Sequence, residues 1–196
     1  MFNRTLTLAS ALVILSGCNS AGPTTITGLN GGLSFTSTGT IAGNSFSASG
    51  TMPSTQAERQ TSSWAAAQAS AFGEFSIAGV SPRTTSTHDR AGLFVRRQTI
   101  GSETITSSCS FNCNGFSVRN TLSNGSTNLY FQICHLTSGT ITITEVSDTR
   151  VKGTFSGTGQ CTTDGASPNT TAPPQTVFTV TSGTFDVARV EVIPVA

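Results

Sequence analysis

The groups best suited to proton transfer or metal binding in this 196-residue chain are two histidines, nine carboxylates and five cysteines. His88 lies in the polar run Ser81–Arg90 (SPRTTSTHDR), where a solvated loop position is expected. His135 continues the apolar face of a strand-like pattern, which suits a sheet-edge residue better than a general base. A hydrolase pairing His88 or His135 with a carboxylate is the catalytic alternative that these residues leave open. The carboxylates are scattered singly, and no calcium-loop pattern is formed; Asp164-Gly165 reads as a turn. A glycosidase needs only two carboxylates that meet in space, so their spacing in sequence does not decide that case. Neither a Gly-x-Ser-x-Gly elbow nor a phosphate-binding or dinucleotide-binding glycine motif is present. Arg96 and Arg97 are adjacent on a strand-like run and therefore point to opposite faces, which argues against a joint anion clamp. These residues predict no catalytic site, no metal and no cofactor.

Cys18 stands apart from the other cysteines. Arg4 gives a positive start, and Thr5–Leu15 (TLTLASALVIL) is an apolar run too short to span a bilayer as a helix, which needs about 20 residues. It ends in Leu15-Ser16-Gly17-Cys18, which resembles the lipobox of bacterial lipoprotein precursors. The resemblance implies cleavage after residue 17 and acylation of Cys18, with palmitate-type chains anchoring the protein in a membrane. Asn19 stands where Asp would be the usual inner-membrane retention signal, so the outer membrane is expected. Residues 18–32 then form a lipidated tether rich in Gly, Ser, Thr and Asn, read as a flexible spacer.

Beyond that spacer, composition sets the class. Thr (34) and Ser (27) make up about a third of the chain, and charged residues only 10%. Without Arg4 the chain is formally neutral, and Lys152 is its single lysine. No basic footprint for nucleic acid exists. Short alternating runs separated by Gly, Asn, Asp and Ser predict an all-β domain over 33–196. The tripeptide Gly-Thr-Ile/Phe at 39–41, 139–141, 153–155 and 183–185 reads as a turn glycine opening a strand. No regular period of 20–50 residues links the copies, which argues against a propeller or solenoid. Only 56–71 (QAERQTSSWAAAQASA) has helical composition, and it reads as one short helix or a long loop. Trp64, within it, is expected to plug one end of the core or to serve as an aromatic ligand platform.

One hairpin can be placed in register. Asn124-Gly125 favours a two-residue type I′ turn. Folding there sets Val118 opposite Phe131 and Phe116 opposite Ile133 on one face, with Arg119 facing Tyr130 and Ser117 facing Gln132 on the other. In that register Cys113 and Cys134 share a face near the open end. Four cysteines in an exported chain predict two disulfides, with three connectivities possible. The favoured pairing is Cys113–Cys134 with Cys109–Cys161. A zinc site from Cys109, Cys113, Cys134, His135 and Cys161 is the rival, opposed by the lack of a second close ligand pair and by an oxidising compartment.

In the last third, Thr137–Val146 (TSGTITITEV), Arg150–Ser156 (RVKGTFS) and Thr181–Val187 (TSGTFDV) form an ordered series. It resembles a broad group of uncharacterised bacterial lipoproteins with C-terminal GTFS and SGTFDV strands. Gly43–Ala48 (GNSFSA) is similar to an early element of that group, so the resemblance covers about 38–190. The four cysteines and the Ser/Thr-rich 52–70 stretch depart from it. The resemblance implies a secreted β-sandwich-like domain and supplies no catalytic residues. The expected architecture is an antiparallel β-sandwich or flattened barrel of about nine strands with at most one short helix. The expected role is that of an envelope-anchored binding module for a protein, a glycan or a small apolar ligand, with Trp64, Tyr130 and Arg119 as candidate contacts.

Overall fold

Alternating buried and exposed positions run through nearly every strand, and the fold follows from burying one side of each. The structure is a computed structural model that describes residues 31–39, 45–82, 88–106, 114–123, 129–164 and 176–191. The leader, Cys18, most of the spacer, Cys109 and Cys113 lie outside the described residues. Among the described residues there are ten strands: β1 (Gly32–Thr38), β2 (Ser45–Ser49), β3 (Trp64–Ala69), β4 (Phe75–Pro82), β5 (His88–Val95), β6 (Gly101–Thr106), β7 (Gly115–Ser123), β8 (Leu129–Val146), β9 (Arg150–Asp164) and β10 (Thr176–Val190). One short helix, α1 (Gln56–Thr61), joins β2 to β3.

The pairings close on themselves. Along one side β10 pairs with β9; along the other it pairs with β1 and then, through Ala188–Val190, in parallel with β3. From β3 the antiparallel ladder passes through β4, β5, β7 and β8 back to β9. The result is a flattened all-β barrel, with β2 added outside β1 and β6 added along the second half of β8. Closure removes most of the sheet edge that would otherwise invite aggregation.

The interior is filled with phenylalanine. Phe35 of β1 lies 5.3 Å from Phe46, 5.1 Å from Phe116, 6.2 Å from Phe155 and 6.4 Å from Phe178, joining five strands through one ring. Phe116 and Phe155 are 4.8 Å apart across the barrel. Edge-to-face and offset contacts of this kind add about 0.5–1.5 kcal/mol per pair beyond area burial.

The three long strands are bent rather than broken. β9 turns Val151, Phe155 and Cys161 inward on one unbroken parity. β8 shifts register at two bulges, after Leu136 and after Ile143, and β10 at one, after Val180. Thus Cys134 and Leu136 share the interior with Ile141 and Ile143, and Phe178 and Val180 share it with Phe185 and Val187. A bulge inserts one residue and bends the strand, so a pattern that looks like two strands in sequence is one strand turning a corner.

Three of the four Gly-Thr-Ile/Phe glycines therefore lie inside strands. Gly153 pairs with Phe185 and Gly183 with Phe155 on the adjacent strands β9 and β10. A Cβ on Gly153 would stand 2.3 Å from the Phe185 ring, and one on Gly183 would stand 2.5 Å from the Phe155 ring. Each glycine makes room for the phenyl ring opposite it.

Two further expectations change. Trp64–Ala69 (WAAAQA) is strand, not helix or loop, because its alternate alanines fit where β3 packs tightly against β10 and β4. In the β7–β8 hairpin Val118 pairs with Cys134, not Phe131, a displacement of three positions. An odd displacement turns β8 over, and Gln132, Cys134 and Leu136 are buried there. Residues 124–128, where the two-residue turn was expected, lie outside the described residues.

Candidate functional site

The register places several connections at one end of the barrel. The β3–β4 turn (70–74), the β5–β6 connection (96–100), the β8–β9 turn (147–149) and the end of β10 all lie there. Phe75 pairs with Val95, so the first two of these connections leave neighbouring strands side by side. Gln98 ties them together: its amide donates to the Ser70 carbonyl at 2.6 Å and to the Glu74 carbonyl at 2.9 Å. The β3–β4 turn is closed further by Phe72 N–H donating to the Ser70 hydroxyl and Ser70 N–H donating to the Glu74 carbonyl.

Charges at this end are largely matched. Arg97 donates from Nε to Glu103 at 2.8 Å and from Nη1 to the Ile100 carbonyl at 3.1 Å. Arg96 lies 3.9 Å from Glu74. Arg189 sits over the Phe75 ring, 5.6 Å from its centroid, and donates to the Ser147 carbonyl. Arg150 grips Asp186 with two parallel hydrogen bonds, from Nε and Nη2, and lies 3.9 Å from Glu145. The hydrogen bond from Arg150 is the main reason that the Asp186 carboxyl is held below the usual aspartate range; the charges of Arg150 and Lys152 act the same way. The same bond, with the charges of Asp186 and Glu145, raises Arg150.

Two apolar side chains remain in water here. Phe72 is 89% exposed in the middle of the β3–β4 turn, and Ile100 is 65% exposed at the end of the β5–β6 connection, next to β6. The sequence signal for them is a bulky apolar residue followed by glycine at a turn, Phe72-Gly73 and Ile100-Gly101, which reading the chain for catalytic groups passes over.

The residues singled out from sequence fall elsewhere. Trp64 is buried on the outer side of β3, in a small cluster with Ala66 and Val80 beside Met52, Ala78 and Val190. Its indole N–H donates to the Arg59 carbonyl at 2.8 Å, so the ring is a covered wedge under α1 rather than an open platform. Arg119 does not face Tyr130. It pairs with Ile133 on one side and with Arg90 on the other, while Tyr130 pairs with Leu122. Burial lowers Arg90, and the facing charge of Arg119 adds to that. His135 is exposed and pairs with Ser117 and Gln160. It lies six positions along β8 from Ile141, the partner of Glu103, or about 20 Å at strand rise. His88 opens β5 opposite Pro82.

Cys134 bonds Cys161, its direct partner across β8 and β9, with the sulfurs 2.04 Å apart. This replaces the expected Cys113–Cys134 and Cys109–Cys161 pairing, because the displaced hairpin turns Cys134 inward towards β9. Among the described residues no group of three or more His, Cys, Asp or Glu is placed to hold a metal. Compared with protein families, curated proteins and solved structures, the chain matches none.

Proposed function

We propose that this chain is a bacterial envelope lipoprotein whose barrel is a non-catalytic binding head, anchored through acyl chains on Cys18. The observation that carries the reading is the buried Cys134–Cys161 bond within a chain that opens with a lipobox-like leader. Disulfides persist in the oxidising compartments outside the cytosol, where that leader would deliver the protein. The likeness of the C-terminal strands to envelope lipoproteins points the same way. The barrel interior is occupied by phenyl rings, so partners engage its outside: protein or glycan surfaces meeting loops held on a rigid frame.

Replacing the acylated thiol tests the anchor. Wild-type protein is expected to remain with membranes through a carbonate wash, in the outer-membrane fraction where the host has one. Cys18→Ser is expected to accumulate as unprocessed precursor or to leave the washed membranes. A Cys18→Ser protein processed and retained like the wild type would contradict the reading.

A further inference from the structure

The end of the barrel that carries Phe72 and Ile100 is also the end nearer to which β1 begins. β1 runs antiparallel to β10, with Leu33 opposite Phe185, and Gly31 packs against the Asp186 backbone. Asp186 is four residues from the end of β10, about 13 Å at strand rise. β1 therefore begins nearer the turn end than the opposite end, which lies ten residues back along β10 at Thr176, about 33 Å at strand rise. Thirteen residue steps separate Gly31 from Cys18, a span of at most about 45 Å even fully extended.

The two tips are built alike. In each, a large apolar residue precedes a glycine with positive φ, +82° at Gly73 and +146° at Gly101, a backbone conformation that favours glycine. A Cβ on Gly73 would meet nothing within 4 Å, so the first tip projects into open space. Hydrogen bonds from Gln98 and Arg97 fix both connections, so the apolar side chains are displayed on ordered backbone. Neighbouring acidic and basic groups are matched, leaving apolar contact as the means of recognition.

We propose that Phe72 and Ile100 insert into the same leaflet that holds the acyl chains of Cys18, docking the turn end of the barrel on the membrane. The proposal rests on the Cys18 anchor. Burial of apolar side chains at the headgroup–acyl boundary drives such contacts. Because the nearby charges are matched, the docking is insensitive to the fraction of anionic lipid. It leaves the opposite end of the barrel, where β1, β4, β7 and β9 finish, facing away from the bilayer.

The test uses the full acylated protein reconstituted in phospholipid vesicles, as Phe72→Trp and, separately, Ile100→Trp. Trp64 supplies a buried background that the wild-type protein measures. Retention of protein on carbonate-washed vesicles reports the anchor; quenching by lipids brominated near the headgroup end of the acyl chain reports the tips. The expected result is retention, loss of most of the added tryptophan emission in both variants, and the same loss in zwitterionic and anionic vesicles. Phe72→Ser in the Ile100→Trp background is expected to relieve the quenching while retention persists. Retained protein whose added tryptophans are unquenched overturns the docking and leaves the anchor standing, as would tips that bind a protein partner instead. Protein that is not retained overturns the anchor and the docking with it.

Discussion

At the level of single residues, the decisive feature is the pairing of glycine with phenylalanine across β9 and β10. Gly183 faces Phe155, whose ring is held from the other side by Phe116 at 4.8 Å and Phe35 at 6.2 Å. The ring has little room to retreat, so Gly183→Ala is expected to destabilise the fold by about 1–3 kcal/mol through overpacking. Denaturant unfolding measures this, and Phe155→Leu in the same chain should recover part of the loss. A change of under about 0.5 kcal/mol would match an ordinary surface site instead. Sequence alone marks these glycines as special but not why, since a turn and a space for a ring look the same without the partner strand. Asp186 gives a pH signature. Its folded-state carboxyl lies below the ordinary aspartate range, so its bond to Arg150 contributes stability in full above about pH 4 and loses it as pH falls through the folded value. Asp186→Asn should be less stable than wild type at neutral pH, and the gap should narrow on acidification. A gap that widens in acid would contradict the assignment.

The elements show where pattern reading succeeds and where packing overrides it. Alternation in β1, β2 and β4 was legible because apolar residues recur at every second position along one face. β3 was not, since alanine and glutamine have weak strand preference and only close packing between β10 and β4 selects them. The β7–β8 register differs for another reason: Asn124-Gly125 favours one turn locally, but the pairing is the one that buries Cys134 against β9. α1 follows its local signals, with Thr55 as N-cap accepting from the Glu58 N–H and its hydroxyl donating to the Glu58 carboxylate. The Cys134–Cys161 bond closes a loop with a sequence separation of 27, for which chain entropy gives roughly 3–4 kcal/mol of stabilisation. The double variant Cys134→Ala/Cys161→Ala is expected to lose about that amount in denaturant unfolding. Peptide mapping without reduction should recover Cys134 linked to Cys161. Recovery of Cys134 linked to Cys113 would restore the expected hairpin register in place of the observed one.

As a whole molecule, the fold class was readable from composition and alternation, since abundant threonine and closely spaced turns favour sheets over helices. Closure of the barrel was not, because the parallel β3–β10 contact joins segments more than a hundred residues apart. Of the surface, the sequence drew attention to Trp64, Tyr130 and Arg119, whereas two of the three large apolar residues exposed among the described residues, Phe72 and Ile100, share one end of the barrel, and the third, Val177, lies near the start of β10. A rare residue such as tryptophan stands out in a sequence, while exposure is visible only once the sheet is folded. The proposed function makes this barrel a head held on a membrane by lipid at Cys18. Intact-mass analysis of the protein extracted from its native membrane tests it most directly. The expected result is a chain that begins at Cys18 and carries the added mass of acyl groups, with that mass localised to Cys18 after digestion. A chain that retains residues 1–17, or one that begins elsewhere with an unmodified thiol at Cys18, would contradict it.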